Sequence, residues 1–429
     1  MSTSSAGRRP HRMYRDTLSL LGPTLPVLSF LGRLPTAMCQ LGSVLLVAQT
    51  SGSLATAGLA GGALAAGQTV AGPLLGRLAD RRGQRGPVLA ASLANAVAVA
   101  VLVFAAVAEA PAALLVPSAL LAGATVPQIG PLARTRSVAL ARRAGADDRT
   151  VGAVLSFEGT LDEVSFVLGP ALVGLAAALA HPGAALLGAS LLLAVCGTGF
   201  ALHPTARTAA TGAGASTTRT GAAERTRLPA SAYALRVTMV LQGAMFGASQ
   251  AGITALTAGL GAPAQAGLVY AAMGVMSAAV GLSLAALPAR IGLAARWRAA
   301  TAGLVLLSLP LLAVDSLPGL YAVVTVLGAA YAPHLITVFA LTERAVPAGR
   351  LAESMAFLTS GIVGGQALAL ALSGRLAERH GAPAAFAVAV GAAVACAALS
   401  WTVRTVRAGA PRGAVTPDGG APSGSAARG

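Results

Sequence analysis

A chain of 429 residues would allow roughly two or three soluble domains, but 55% of its residues are hydrophobic, only 10% are charged and the mean hydropathy is +0.74. Soluble domains carry about 25% charged residues, so a soluble globule is excluded and an integral membrane protein is indicated. The net charge of +16 comes from 30 basic residues against 14 acidic ones, and every basic residue is arginine; these sit in short clusters between apolar runs, which argues for membrane topology and against nucleic-acid binding.

Apolar runs of spanning length, about 20 residues each, fall at 24–48, 54–76, 87–108, 112–133, 153–179, 183–202, 232–258, 267–288, 299–315, 318–341, 354–374 and 383–403. They predict twelve membrane helices and no strands. The first run is long and has no A-x-A-like end, so it reads as a first membrane helix and not as a cleaved signal peptide. Residues 203–231, rich in Thr, Ala, Gly and Arg, read as a flexible linker between a six-helix bundle at 24–202 and a second at 232–403, with tails at 1–23 and 404–429. Cys39, Cys196 and Cys396 lie far apart in apolar runs, a spacing that fits helix packing and offers neither a disulfide framework nor a metal site.

Arginine bias sets the expected orientation. Arg8, Arg9, Arg12 and Arg15 precede helix 1; Arg77, Arg81, Arg82 and Arg85 follow helix 2; Arg134, Arg136, Arg142, Arg143 and Arg149 are placed in loop 4/5. Loop 8/9 (Arg290, Arg296, Arg298), loop 10/11 (Arg344, Arg350), the linker and the tail (Arg404, Arg407) continue the series, while the alternate loops up to 9/10 carry no arginine. Both termini are therefore expected in the cytoplasm. Loop 11/12, residues 373–381, breaks the pattern with Arg375 and Arg379, and marks where a helix would have been miscounted.

Few charges fall inside the predicted spans, and such residues usually face an interior cavity with partners. Arg33 of helix 1 lies about 14 Å in from its cytoplasmic end at helical rise, a depth comparable to that of Asp162 and Glu163 in helix 5, so either acid can pair with it. Glu158 and Asp162, four residues apart, share a face with Ser165 and Gly169, whereas Glu163 points about 100° away. If the shared face lines the cavity, one carboxylate pairs with Arg33 and the other carries a proton; if helix 5 starts later, Glu158 sits in interfacial water instead. In the second half Glu353 sits only at the mouth of helix 11. Gln40, Asn95, Gln128, Gln242, Tyr270, Tyr331, His334 and Gln366 are candidate cavity residues, each with interhelical hydrogen bonding as its alternative. Among them His334, in what reads as a broken helix, is the candidate for titration near neutral pH.

Between helices 2 and 3 the chain reads Gly76-x-Leu78-Ala79-Asp80-Arg81-x-Gly83-x-Arg85. Residues 281–299 repeat it weakly, with Gly281, Leu287, Arg290 and Gly292 in register and Ala289 in the place of Asp80. Order, spacing and position resemble the loop 2/3 signature of the major facilitator superfamily. That resemblance spans the chain and implies an all-α integral membrane protein of the major facilitator fold, with two six-helix bundles related by pseudo-twofold symmetry. It also implies a gate, in which Asp80 meets the N-terminal end of a neighbouring helix, or an arginine of it, and closes the cytoplasmic side. In helix 5, Gly169-Pro170 with Gly174 is similar to the Gly-Pro signature of antiporters in that superfamily, chiefly drug and metabolite exporters, with Ser165 and Val173 departing from the fuller pattern.

The resemblance thus implies a secondary transporter of the cell membrane, acting as a monomer in the lipid bilayer by alternating access. Proton-driven efflux of a small organic molecule is the favoured direction; uptake by symport or facilitated diffusion is the alternative, and a non-transporting sensor a remoter one. No H-E-x-x-H, G-x-S-x-G or C-x-x-C arrangement points to an enzyme, a cofactor or a metal.

Overall fold

The computed structural model describes residues 19, 21–179, 181–207, 228–262, 265–284 and 291–403. The expectations for both tails, for most of the linker and for Arg290 lie outside the described residues.

Within them the chain forms twelve helical spans: α1 (Thr24–Ser51), α2 (Leu54–Arg82), α3 (Arg85–Val107), a broken α4 (Ala112–Ala124, then Ile129–Arg143), α5 (Asp148–Leu179), α6 (Pro182–Leu202), α7 (Ala230–Gly259), α8 (Ala266–Ser283), α9 (Leu293–Ser308, ending in a 3-10 turn Leu309–Leu312), α10 (Leu317–Ala345), α11 (Leu351–His380) and α12 (Ala382–Thr402). Nine of these are long and apolar enough on their own to cross a membrane. The fold is all-α, and its two halves, α1–α6 and α7–α12, each enclose an apolar core, one around Leu46, Leu102, Leu115 and Leu186 and one around Met245, Leu304, Leu327 and Phe386.

Several boundaries differ from the sequence reading: α2 runs on from 76 to Arg82, so Asp80 and Arg81 are helical, and α9 starts at Leu293 instead of 299. Helix 4 does not end at 133: it breaks at Thr125–Gln128, where Gln128 takes a left-handed φ of 54°, and resumes for fifteen residues. Arg134 and Arg136 are therefore helical and fully buried, not loop residues in water. Helix 5 starts earlier, at Asp148, which draws Glu158 inside to 1% exposure. The helix carrying His334 is unbroken through Pro333.

No helix is miscounted at 373–381. That segment is the end of α11, whose thirty residues rise about 45 Å, more than the roughly 30 Å hydrocarbon core. Arg375 and Arg379 ride on its exposed last turns before Gly381, at φ 79°, turns the chain into α12.

The halves meet at the ends that carry the arginine-rich loops. Gly76 of α2 lies so close to α11 that a Cβ there would stand 2.7 Å from the Ala352 carbonyl oxygen, and Ser360 donates to the Gln68 carbonyl at 3.4 Å. Gly159 and Gly274 similarly let α5 meet Ile336 of α10 and α8 meet Val167 of α5. Toward the other face, Gly62, Gly267 and Gly374 have no neighbouring atom within 4 Å of where a Cβ would stand. The arginine-rich face is closed.

Candidate functional site

A buried ion-pair cluster sits in the first half, against α10 of the second. Arg33 of α1 is 5% exposed. Its Nη1 donates to Asp162 Oδ1 at 2.8 Å and to the Glu158 carbonyl oxygen at 2.8 Å, and its Nη2 to Ser29 Oγ at 3.3 Å and to Glu158 Oε2. Arg134, brought inward by the resumed α4, donates to Asp162 Oδ2, and Ser137, one turn further along α4, donates to Glu158 Oε1 at 2.7 Å. The four-residue spacing on α5 thus presents both acids to Arg33, with Asp162 shared between Arg33 and Arg134.

Each charge alone would cost about 2.5–3.5 kcal/mol at mid-membrane on insertion scales. Two guanidinium groups against two carboxylates leave the cluster neutral, and that balance is what permits its burial. Arg33 pairs with Glu158 and Asp162, not with Glu163, so the expectation that one acid of the shared face stays free is corrected: both are held. Glu163, rotated off that face, makes no ion pair among the described residues; it is 8% exposed and faces Ser277 of α8, with Tyr270 and Tyr331 near enough to feel its charge. Tyr331 stacks on Phe246, ring centroids 4.4 Å apart.

Arg136 serves the loop 2/3 motif. It donates from Nε and Nη2 to Gln84 Oε1 (3.1 and 2.9 Å) and from Nη1 to the Phe200 carbonyl (2.8 Å), and lies 3.8 Å from the Phe200 ring centroid. Gln84 in turn donates to Thr135 Oγ1 at 2.8 Å, fixing the turn that Gly83 makes at φ 78°. From the last turn of α2, just before Gly83, Asp80 reaches the start of α11: Oδ1 accepts from Ala352 N–H at 3.1 Å and Oδ2 from Glu353 N–H at 2.7 Å. These are the orphan donors of a helix N-terminus, where a carboxylate is favoured. Arg81 and Arg85 stay exposed. Beside this contact, Arg142 bridges Asp148 (2.7 Å) and Glu343 (3.3 Å), and Arg344 meets Asp148 at 3.0 Å, so ion pairs cross from α5 to α10.

The antiporter-like motif has a packing role at one end only. A Cβ on Gly169 would stand 2.7 Å from Ala37 Cβ, so the glycine admits α1, and Pro170 lies inside the unbroken α5; around Gly174 there is open space. The polar candidates divide. His334 is fully buried among Gln242, Thr238 and Trp297, with Nδ1 2.6 Å from Gln242 Oε1 and Nε2 3.0 Å from Thr238 Oγ1. Gln242 gives its Nε2 to the Tyr331 carbonyl. Asn95 ties α3 to the end of the first α4 segment, and Gln366 donates to Gln250 at 3.4 Å. Gln40 and Tyr270 are half-buried, and Gln128 is buried with both side-chain polar atoms unpartnered, near Gly72 and Ser360. Arg134 and Arg136 are the functional-site residues that the sequence reading misplaced; the recurrence of Arg134, Val138 and Ala141 at helical spacing is the signal that carries α4 onward.

No protein-family model matches the chain, and no curated protein matches it by sequence. Solved structures do match in fold. The human organic anion transporter MFSD10 (TETRAN) is 19% identical with a TM-score of 0.64, over 92% of this chain and 100% of that one. A bacterial homologue of the iron transporter ferroportin in its outward-facing state is 14% identical with a TM-score of 0.69, over 88% and 98%. The proton:xylose symporter XylE is 12% identical with a TM-score of 0.66, over 88% and 94%. The fold is that of the major facilitator superfamily, and these neighbours are transporters.

Proposed function

We propose that the protein is a secondary transporter that moves a small organic solute through the cell membrane by alternating access, with its arginine-rich face and both termini in the cytoplasm. In that orientation the closed face is the cytoplasmic one and the molecule faces outward. The fold supports transport, and the arginine bias supports the orientation.

The observation that carries the coupling is the pairing pattern on α5. Protonating Asp162 would strand the buried Arg134, and protonating Glu158 would leave Arg33 and Arg134 sharing one carboxylate, whereas Glu163 can take up a proton without breaking an ion pair. Glu163 is thus the proton carrier, and the Arg33–Glu158–Asp162–Arg134 cluster is the fixed frame beside it. Protons arriving from outside drive the solute out; the Gly169-Pro170 resemblance favours this direction. Uptake is the second reading, favoured by the likeness to a proton:xylose symporter.

The test is transport by the purified monomer in proteoliposomes with an imposed pH gradient and a panel of small solutes. Wild type is expected to move solute against its gradient and to move protons in return. Glu163→Gln is expected to exchange solute without proton movement. Proton-coupled transport at the wild-type rate by this variant would overturn the assignment.

A further inference from the structure

Gln128 stands where the backbone of α4 is strained. Its φ of 54° is one of two positive values at non-glycine positions among the described residues, and although it heads the resumed segment of α4, its side chain makes no capping hydrogen bond to that helix. A left-handed backbone is unfavourable for residues other than glycine and persists only where the surroundings impose it. Here it accompanies an amide turned into the contact between α2 and α11. A Cβ on Gly72 of α2 would stand 2.9 Å from Gln128 Nε2 and closer still to Ser360 Oγ of α11, so the bare glycine makes room for both. Nothing in that contact answers the amide: Gln128 Nε2 and Oε1 are buried without hydrogen-bond partners, and so is Gln68 Oε1, one turn before Gly72. Ser360 takes the Gln68 carbonyl, not its side chain. The two glutamines are 3% and 2% exposed.

A buried donor or acceptor without a partner carries its full desolvation cost, and in this contact the cost falls on the closed face alone. Withdrawing α11 from α2 would let water reach all three atoms. The amides therefore work against closure, while Asp80 works for it through its two hydrogen bonds to the start of α11. We propose that Gln128 and Gln68 together form an opening spring for the arginine-rich face, offsetting the Asp80 latch so that the open state stays populated. Alternating access needs both facings within a few kcal/mol of each other, and a latch with nothing opposing it would hold the molecule in one. The spring rests on the alternating-access reading, but not on the direction of transport, the coupling ion or the solute.

The experiment uses the full chain purified in detergent with Ser360→Cys, whose thiol would lie in the α2–α11 contact, and follows its labelling by a maleimide; Cys39, Cys196 and Cys396 are buried. Gln128→Met keeps the length of the side chain and removes its polar atoms. It is expected to slow labelling at least tenfold and to raise the melting temperature, and Gln68→Met, an independent variant, is expected to shift both in the same direction. Added to Asp80→Ala, Gln128→Met is expected to bring the faster labelling of that variant back toward the rate of Ser360→Cys alone. Unchanged or faster labelling in either methionine variant would overturn the proposal. So would a fall in melting temperature, because it would show that the amide has partners to lose. A thiol at position 360 that resists the maleimide in every variant would overturn the alternating-access reading as well, whereas labelling indifferent to positions 128 and 68 overturns the spring alone.

Discussion

Arg134 and Phe339 meet across the two halves, the guanidinium carbon 3.8 Å from the ring centroid, while the same side chain is paired with Asp162 in its own half. One residue therefore joins the charge cluster to the surface on which the halves move. Its two bonds differ in kind. Arg134→Gln leaves Asp162 with Arg33 alone, and losing one partner of a buried pair costs about 3–5 kcal/mol, so a large drop in melting temperature and loss of transport are expected. Phe339→Leu keeps most of the apolar volume and removes only the cation–π attraction, about 0.5–2 kcal/mol. It is expected to fold nearly as well as wild type and to open the arginine-rich face more readily, read as faster labelling of Ser360→Cys. Equal destabilisation by both substitutions would show that the ring acts by packing alone.

Asp80 holds two backbone donors at the start of α11, and its substitutions separate charge from hydrogen bonding. Asp80→Ala leaves both N–H groups without an acceptor in the closed state, a loss of about 1–3 kcal/mol per group where they stay dry. Asp80→Asn keeps one acceptor and loses the favourable charge at the helix terminus, about 0.3–1 kcal/mol. Maleimide labelling at Ser360→Cys is expected to rise at least tenfold in the alanine variant and less in the asparagine variant. An asparagine effect as large as that of alanine would show that the charge and one of the two hydrogen bonds together carry the gate.

The spans were legible in the sequence because apolar run length is a local property, and the Asp80 contact was legible because its motif fixes a turn beside a helix end. The cluster was only half legible. Glu158, Asp162 and Arg33 were recognisable as intramembrane charges, but the choice between Glu158, Asp162 and Glu163 as partners of Arg33 depends on the rotation of α5, which only packing sets. Arg134 and Arg136 were read as loop residues because charge normally punctuates a membrane span; here Asp162 and Gln84, distant in sequence, supply the partners that let them be buried. The same blindness to tertiary partners made His334 look like a titrating cavity residue.

Glycines of the two motifs divide by what their missing Cβ avoids. Gly76→Ala would set a methyl 2.7 Å from the Ala352 carbonyl oxygen and Gly169→Ala one 2.7 Å from Ala37 Cβ, whereas Gly174→Ala meets open space. The first is expected to hold the arginine-rich face ajar and lower the transport rate at least tenfold. Gly169→Ala, within one half, is expected to cost about 1–3 kcal/mol of stability as overpacking. Gly174→Ala is expected to be neutral or to stabilise by up to about 1 kcal/mol, since alanine is the better helix former. Melting temperatures with proteoliposome rates check all three, and a Gly174→Ala variant that folds but does not transport would give that glycine a role the packing does not supply.

His334 makes an opposite prediction to that of Glu163. Because Gln242 spends its amide nitrogen on the Tyr331 carbonyl, its oxygen must accept, so His334 Nδ1 carries the proton and Nε2 accepts from Thr238 and from Trp297 Nε1. Every polar atom of the ring is satisfied in the neutral form, within the packed core of the second half. His334→Ala would leave Gln242 Oε1 and Trp297 Nε1 short of a partner, while Thr238 keeps Cys396 Sγ at 3.4 Å; unsatisfied buried groups cost about 1–3 kcal/mol apiece. A marked fall in melting temperature is expected. His334→Gln, which offers one donor and one acceptor, is expected to recover part of it, and the surviving protein should keep the wild-type dependence of transport on pH. A shifted or flattened pH profile in His334→Gln, with Glu163 intact, would move the proton pathway into the second half.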